Sequence, residues 1–227
     1  MKELVDFFHK IGKLKKMPRR GWVLIGVKNP GTVAAHTFRT AIMTWVLGEK
    51  KKLDTGRAIK IALVHDLCEL YAGDTTPYDY NSILPRDKKK WPELFDTWPR
   101  FSKSKKIKFF LEKDKKERAS LMKLTSGLPP KLKKEILGLW YDYKNGSTKE
   151  GRFTRQINRL ETLLQALEYG RETKRRPFKS WWIGSEEQVD DPLLVEFMSG
   201  LAKEFYQGTK KKRKAPGGTR RVAPRRK

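Results

Sequence analysis

The sequence predicts an all-α chain. Amphipathic segments of helical period follow one another through residues 1–208, strand-like alternation is almost absent, and helix caps and stops fall between the segments. A chain of 227 residues is long enough for one sizeable core. Residues 1–208 therefore read as one domain. Residues 79–108 look like a basic, aromatic-rich insertion or lid, and 209–227 like a disordered basic tail.

The first predicted helix covers residues 2–15, with Leu4, Phe7, Phe8, Ile11 and Leu14 on one face. A loop punctuated by Pro18, Gly21, Pro30 and Gly31 follows. Thr32 is a suitable N-cap for a second helix running to Glu49. Asp54 or Thr55 caps a third, GRAIKIALVHDLCELYA, which Gly73 stops. In 79–108, Trp91, Phe95, Trp98 and Phe101 lie among many cations. Such residues either pin an insertion onto the core or stack a base while lysines meet phosphate, and pinning is the commoner use. Further helices are predicted over 109–125, 131–144 (ending at Asn145–Gly146), 149–170 and 192–206. In the 149–170 helix, Phe153, Ile157, Leu160, Leu163, Leu164 and Leu167 recur at helical spacing.

Composition narrows the setting. No stretch approaches the ~20 apolar residues of a spanning helix, so no membrane partner is expected. The N-terminal twenty residues lack the apolar run of a secretory signal. A single cysteine, Cys68, leaves no intramolecular disulfide framework and fits a reducing, cytoplasmic setting. The net charge is +26, and residues 210–227 carry ten Lys or Arg with no acid. A segment so basic and so poor in apolar groups does not offset its ordering entropy by burial. It reads as a solubilising arm capable of salt-sensitive, sequence-blind contact with nucleic acid.

The concentrated set of metal-type ligands is His36 with the dyad His65–Asp66, in two strongly apolar helices. A lone buried carboxylate costs several kcal/mol, and a divalent cation held by imidazoles and Asp66 removes that cost. A histidine beside an aspartate is equally at home as a hydrogen-bonded core pair. Glu69, one helical turn beyond His65, and Asp74, just after Gly73, extend the set toward one cavity. Ligands with a spare acid or base are what activation of water at a metal, and its delivery to phosphorus, requires.

VAAHTFR, then IALVHDLCELYAGDTTPYD, then LWYDYKNGSTKEGRFTRQINRLETLLQALEYG resemble the HD-domain 5′-deoxynucleotidases, over residues 4–205 apart from much of 80–108. The resemblance implies an HD-domain helical bundle. It implies one divalent metal ion (Mn, Co or Mg) at His36, His65, Asp66 and a fourth residue on the LLQALEY helix. Glu69 matches the family's acid or base, and Asp74 a carboxylate near the substrate sugar. Arg19 in PRRGW matches a loop arginine that contacts phosphate, a task suited to its fork of donors. A nucleoside monophosphate substrate and a homodimer are implied by the same resemblance.

The pattern also breaks. The family's fourth ligand is an aspartate, and Asn158 stands there; Ala35 and Pro30-Gly31-Thr32 replace two further acids. An asparagine oxygen binds a metal but adds no negative charge. Glu161, one turn on, is a minority substitute. The expected activity is hydrolysis of a (deoxy)nucleoside 5′-monophosphate to nucleoside and phosphate. The rival is a catalytically impaired HD-fold nucleotide-binding protein, associated with nucleic acid through its tail. A third reading, a nucleic-acid binder whose core is incidental, rests on charge alone.

Overall fold

The computed structural model describes residues 1–80, 83–96, 100–173 and 179–211. The described residues contain no strand; one antiparallel bridge, Pro18 with Thr32, is the extent of extended pairing. The helices are α1 (Lys2–Gly12), α2 (Arg20–Leu24), α3 (Val33–Lys50), α4 (Thr55–Val64), α5 (Glu69–Ala72), α6 (Pro77–Tyr80), α7 (Trp91–Asp96), α8 (Lys103–Leu124), α9 (Pro130–Asn145), α10 (Lys149–Thr173), α11 (Lys179–Glu186) and α12 (Pro192–Lys211).

Capping chemistry accounts for the boundaries that position the site. The Thr32 hydroxyl accepts from Ala35 N and opens α3, and the Asp54 carboxylate accepts from Arg57 N and opens α4. Each such cap is worth about 1 kcal/mol. Gly146, at φ 63° and ψ 39°, takes the left-handed conformation that ends α9 at little cost.

α10 is the central helix, packed against α3, α4, α9, α11 and α12. Phe153, Ile157, Leu160, Leu163 and Leu167 are buried, as their spacing predicted, while Leu164 is half-buried. A second cluster joins Phe7, Leu14, Val33, Ile61, Leu121, Leu124, Ile136 and Trp140 from α1 and the turn after it, α3, α4, α8 and α9.

Several sequence expectations are corrected. α1 passes into a 3₁₀ turn at Lys13–Lys16, and Phe8 is exposed, about 100° around the helix from buried Phe7. The stretch read as a plain loop contains α2, whose Trp22 and Leu24 are buried. α8 begins at Lys103, six residues before its predicted start, because the Ser102 hydroxyl accepts from Lys105 N. α11 was not predicted, and α12 runs on to Lys211, into the segment read as tail. Residues 212–227, and Trp98 of the insertion, lie outside the described residues. Within 79–108, Trp91 is buried against Leu24 and Phe101 packs on Tyr78 at 5.2 Å, which is pinning to the core. No helix among the described residues is long and apolar enough to cross a membrane.

Candidate metal and phosphate site

Three elements deliver the site. α3 brings His36, the end of α4 brings His65 and Asp66, and the loop before α2 brings Arg19. That loop is stitched to the start of α3 by Arg19 N to Gly31 O and Val33 N to Met17 O, both 2.9 Å. Gly31 N also donates to the Tyr169 hydroxyl of α10 at 2.7 Å, and Trp22 packs edge-on against Tyr169.

The predicted continuous third helix breaks at the dyad. The His65 Nδ1 approaches the Ala62 carbonyl at 2.5 Å, an acceptor that an unbroken helix gives to the Asp66 N–H. The backbone bonds that follow span three residues: Leu67 to Val64, Glu69 to Asp66, Leu70 to Leu67. Glu69 thus opens a separate short helix, α5, and the single-helix geometry inferred for His65 and Glu69 does not hold. The Glu69 carboxyl is nevertheless buried, 2% exposed, within electrostatic range of Asp66, Asp74 and Arg19.

The geometry at the centre is tight. His65 Nε2 lies 3.3 Å from His36 Nε2 and 3.1 Å from Asp66 Oδ2, and His36 Nε2 lies 3.7 Å from the same oxygen. Both imidazoles have an acceptor at the other nitrogen: the Glu161 carboxylate for His36 Nδ1 and the Ala62 carbonyl for His65 Nδ1. With the Nδ1 atoms protonated, both Nε2 lone pairs and a carboxylate oxygen face one another in the interior. Three acceptors so placed repel; the Arg19 guanidinium meets only Asp66 Oδ2, at 2.8 Å, whereas a cation among them would relieve all three. Their spacing suits ligands at ~2.0–2.2 Å from a common ion, and partners at Nδ1 are the usual supports of metal-binding histidines. His36, His65 and Asp66 accordingly fit a divalent metal.

Electrostatics agree with the donor set. Burial and the Arg19 charge outweigh Glu161 and Asp66 and hold His36 below the usual imidazole range, so its ring is neutral at pH 7. Burial alone would raise the Asp66 carboxyl, but His65 and Arg19 hold it well below the carboxylate range. Burial, then the charges of Asp66 and Asp74, push the Glu69 carboxyl well up, and its Oε2 has no hydrogen-bond partner. Arg19 Nη1 donates to Asp66 Oδ2 at 2.8 Å, and its Nε is 3.6 Å from Asp74 Oδ2. Asp74 Oδ2 also accepts from Arg20 N at 2.9 Å.

A model of the HD domain matches residues 11–190. The 5′-deoxynucleotidase HDDC2 of Xenopus laevis is 32% identical over 205 residues, covering 89% of this chain and 88% of that protein. The chain belongs to the HD-domain 5′-deoxynucleotidase family. The human 5′-deoxynucleotidase HDDC2 is 29% identical over 204 residues, 89% of this chain and 86% of that protein. A solved structure of a conserved hypothetical protein from Pyrococcus furiosus shares the fold at TM-score 0.60 and 26% identity, covering 88% of this chain and 99% of that one. As a family member this HD-domain chain is a phosphohydrolase, of a fold whose phosphohydrolases depend on a metal.

His36, His65, Asp66, Glu69, Asp74 and Arg19 come together as the sequence anticipated. Of the two adjacent loop arginines, Arg19 faces the site, whereas Arg20 turns away to Asp79 (Nε to Oδ1, 2.8 Å) and lies 4.8 Å over Trp91. Asn158 reaches the site through Tyr143. Its amide donates to the Tyr143 hydroxyl, and the Tyr143 ring lies 5.1 Å from that of His65. Glu161 acts through His36 and is itself gripped by Arg39 Nε at 2.9 Å. Arg39 also donates to Gln165 and Glu168, which ties α3 to α10 beside the site. Sequence reasoning missed Arg39 and Tyr143. For Arg39 a signal existed, since an arginine three residues after His36 shares its helix face with it.

Proposed function

We propose that the chain hydrolyses (deoxy)nucleoside 5′-monophosphates to nucleoside and phosphate. The observation that carries this reading is the convergence of His36, His65 and Asp66, whose ligand atoms lie within 4.8 Å of one another in the interior. The substrate class follows the printed activity of the relatives, 5′-deoxynucleotidases.

His36, His65 and Asp66 would hold one divalent ion, Mn, Co or Mg, with Asn158 supplying a neutral fourth oxygen. Such an ion polarises a phosphoryl oxygen and makes water more acidic. Glu69, whose carboxyl burial and the neighbouring carboxylates push up, is the group that would take a proton from water and return it to the leaving 5′ oxygen. Arg19 turns its donor fork to the phosphate, and Asp74, anchored by Arg20 N, orients the sugar or water. The buried position of Glu69 and the half-buried Arg19 exclude bulk water, which strengthens each of these interactions.

Asn158 favours one competing reading, a nucleotide-binding protein with impaired catalysis, because one negative ligand then replaces two. Phosphate release from a panel of deoxy- and ribonucleoside monophosphates, with EDTA, Mg²⁺, Mn²⁺ or Co²⁺, separates the two. Metal-dependent release by the native chain is expected. Silence from the native chain with activity in Asn158→Asp would establish the impaired form, and silence from both would sink the nucleotidase reading.

A further inference from the structure

The short helices α5 and α6, which flank the turn carrying Asp74, both pack on α8. One face of α8, at helical spacing, holds them there: Lys113, Lys116 and Ser120. The Ser120 hydroxyl donates to the Cys68 carbonyl and accepts from Tyr71 N at 3.2 Å. Lys116 Nζ donates to the Tyr80 hydroxyl at 2.7 Å. Between these anchors, Lys113 Nζ donates to the Thr75 carbonyl at 2.9 Å, one residue past Asp74.

An ion pair does not account for Lys113. Its nitrogen lies 3.5 Å from Glu117 Oε1, one turn along the same helix, which is longer than a good hydrogen bond. Glu117 has a closer cation: its Oε2 accepts from Lys144 Nζ at 2.8 Å, and that ammonium also lies 3.1 Å from Asp114. Among the described residues, the hydrogen bond from Lys113 goes to Thr75 alone.

The charge of Lys113 is directed at the site. Burial would lower its pKa, but Glu117, then Glu69 and Asp74, hold it above the usual lysine value, so the ammonium is charged at pH 7. Arg19 meets Asp66 and Asp74 from the loop before α2, whereas Lys113 approaches Glu69 and Asp74 from α8. The turn between them needs holding. Gly73, at φ 78° and ψ 150°, takes the chain sharply out of α5 in a conformation that favours glycine. Beyond it the Asp74 carboxylate is fixed by Arg20 N, and the backbone by Lys113.

We propose that Lys113 is the positioning residue of the two acids Glu69 and Asp74. It ties the turn of residues 73–75 to α8, which fixes the direction of Asp74. It also sets a cation behind both carboxyl groups, which offsets their mutual repulsion and keeps them facing one cavity. Its effect on turnover rests on the nucleotidase reading; its effect on the turn does not.

The test pairs two lysines that share Glu117. Lys113→Met keeps most of the side-chain length and removes the charge and the donor, and Lys144→Met does the same on the other side of Glu117. Both should fold, with similar losses in melting temperature. Lys113→Met alone should speed hydrogen exchange at the amides of residues 73–76, by about tenfold or more. It alone should lower kcat on nucleoside monophosphates, by about 10–100-fold with KM within about threefold, because the acids are displaced while Arg19 still meets the phosphate. Lys113→Arg, which keeps a charge and a donor, should restore most of kcat. Exchange that is unchanged in Lys113→Met, or that rises equally in Lys144→Met, overturns the proposal whether or not the native chain is active. So does a Lys113→Met chain that unfolds where Lys144→Met does not, since Lys113 then serves the fold alone. With an active native chain, a kcat that falls equally in both variants or in neither also overturns it. A silent native chain whose turn loosens only in Lys113→Met would uphold the tie and sink the nucleotidase reading.

Discussion

Two buried carboxyl groups of this molecule have opposite surroundings. Asp142, 4% exposed, is saturated: Oδ1 accepts from Thr148 N at 2.9 Å, and Oδ2 from the Thr148 hydroxyl at 2.7 Å and Arg57 Nη2 at 2.6 Å. Burial would raise its pKa, but the Thr148 and Arg57 hydrogen bonds hold it below the usual value. Glu69, 2% exposed, has a bare Oε2 and a carboxyl pushed up by burial and its acidic neighbours. A complete hydrogen-bond shell belongs to a residue that holds the fold together, here tying α4 and α9 to the turn before α10. An incomplete one stores a cost that a bound ion, a substrate or a transferred proton can relieve.

The sharpest attempt to break this contrast is Glu69→Gln, which keeps shape and removes the proton-transfer group. Phosphate release should fall by about 10²–10⁴-fold, with the melting temperature little changed. A melting temperature that drops as far as in an Asp142 variant would erase the distinction. Glu161→Gln comes next. It leaves the ligands in place but weakens the support of His36 Nδ1, so Mn²⁺ affinity measured by calorimetry should fall by about 10–100-fold. Asp142→Asn should do the reverse of Glu69→Gln. Its loss of charge-assisted bonds should cost about 2 kcal/mol in denaturant unfolding and leave turnover near native.

The smallest effect is one of pH. The folded pKa of Asp142 lies below the usual aspartate value of 3.8, so the folded state binds fewer protons between the two. The resulting stabilisation is present in full above that value and is lost as pH falls through the folded pKa. The stability gap between native chain and Asp142→Asn should therefore be constant near neutrality and narrow below about pH 4. A gap indifferent to acid would mean that Asp142 contributes through shape alone.

Much of the site could be read from residue types. His36, His65, Asp66 and Glu69 are chemically conspicuous among apolar neighbours, Asp74 follows the Gly73 stop, and the family pattern gave them order. Where reasoning ran on spacing alone it was weaker. Glu69 was placed by extending a helix through His65, and that helix breaks because the imidazole takes a backbone acceptor. Composition does not separate Arg19 from its neighbour Arg20. Adjacent residues point in different directions, and only the stitched loop decides which one reaches Asp66.

The sequence by itself determined the all-α class, the caps at Thr32 and Gly146, the pair Asp54–Thr55 from which the cap of α4 comes, and the buried stripe of α10. These depend on local propensity and periodicity, which operate within a few residues. Tertiary structure alone decided the partners over long sequence separations: Glu161 for His36, 125 residues apart, and Tyr143 for Asn158. It also decided which faces of α3 are covered. Helical period shows that a helix has faces, but only the packing of α4 and α10 against it determines that His36 is buried while Trp45 is left to solvent.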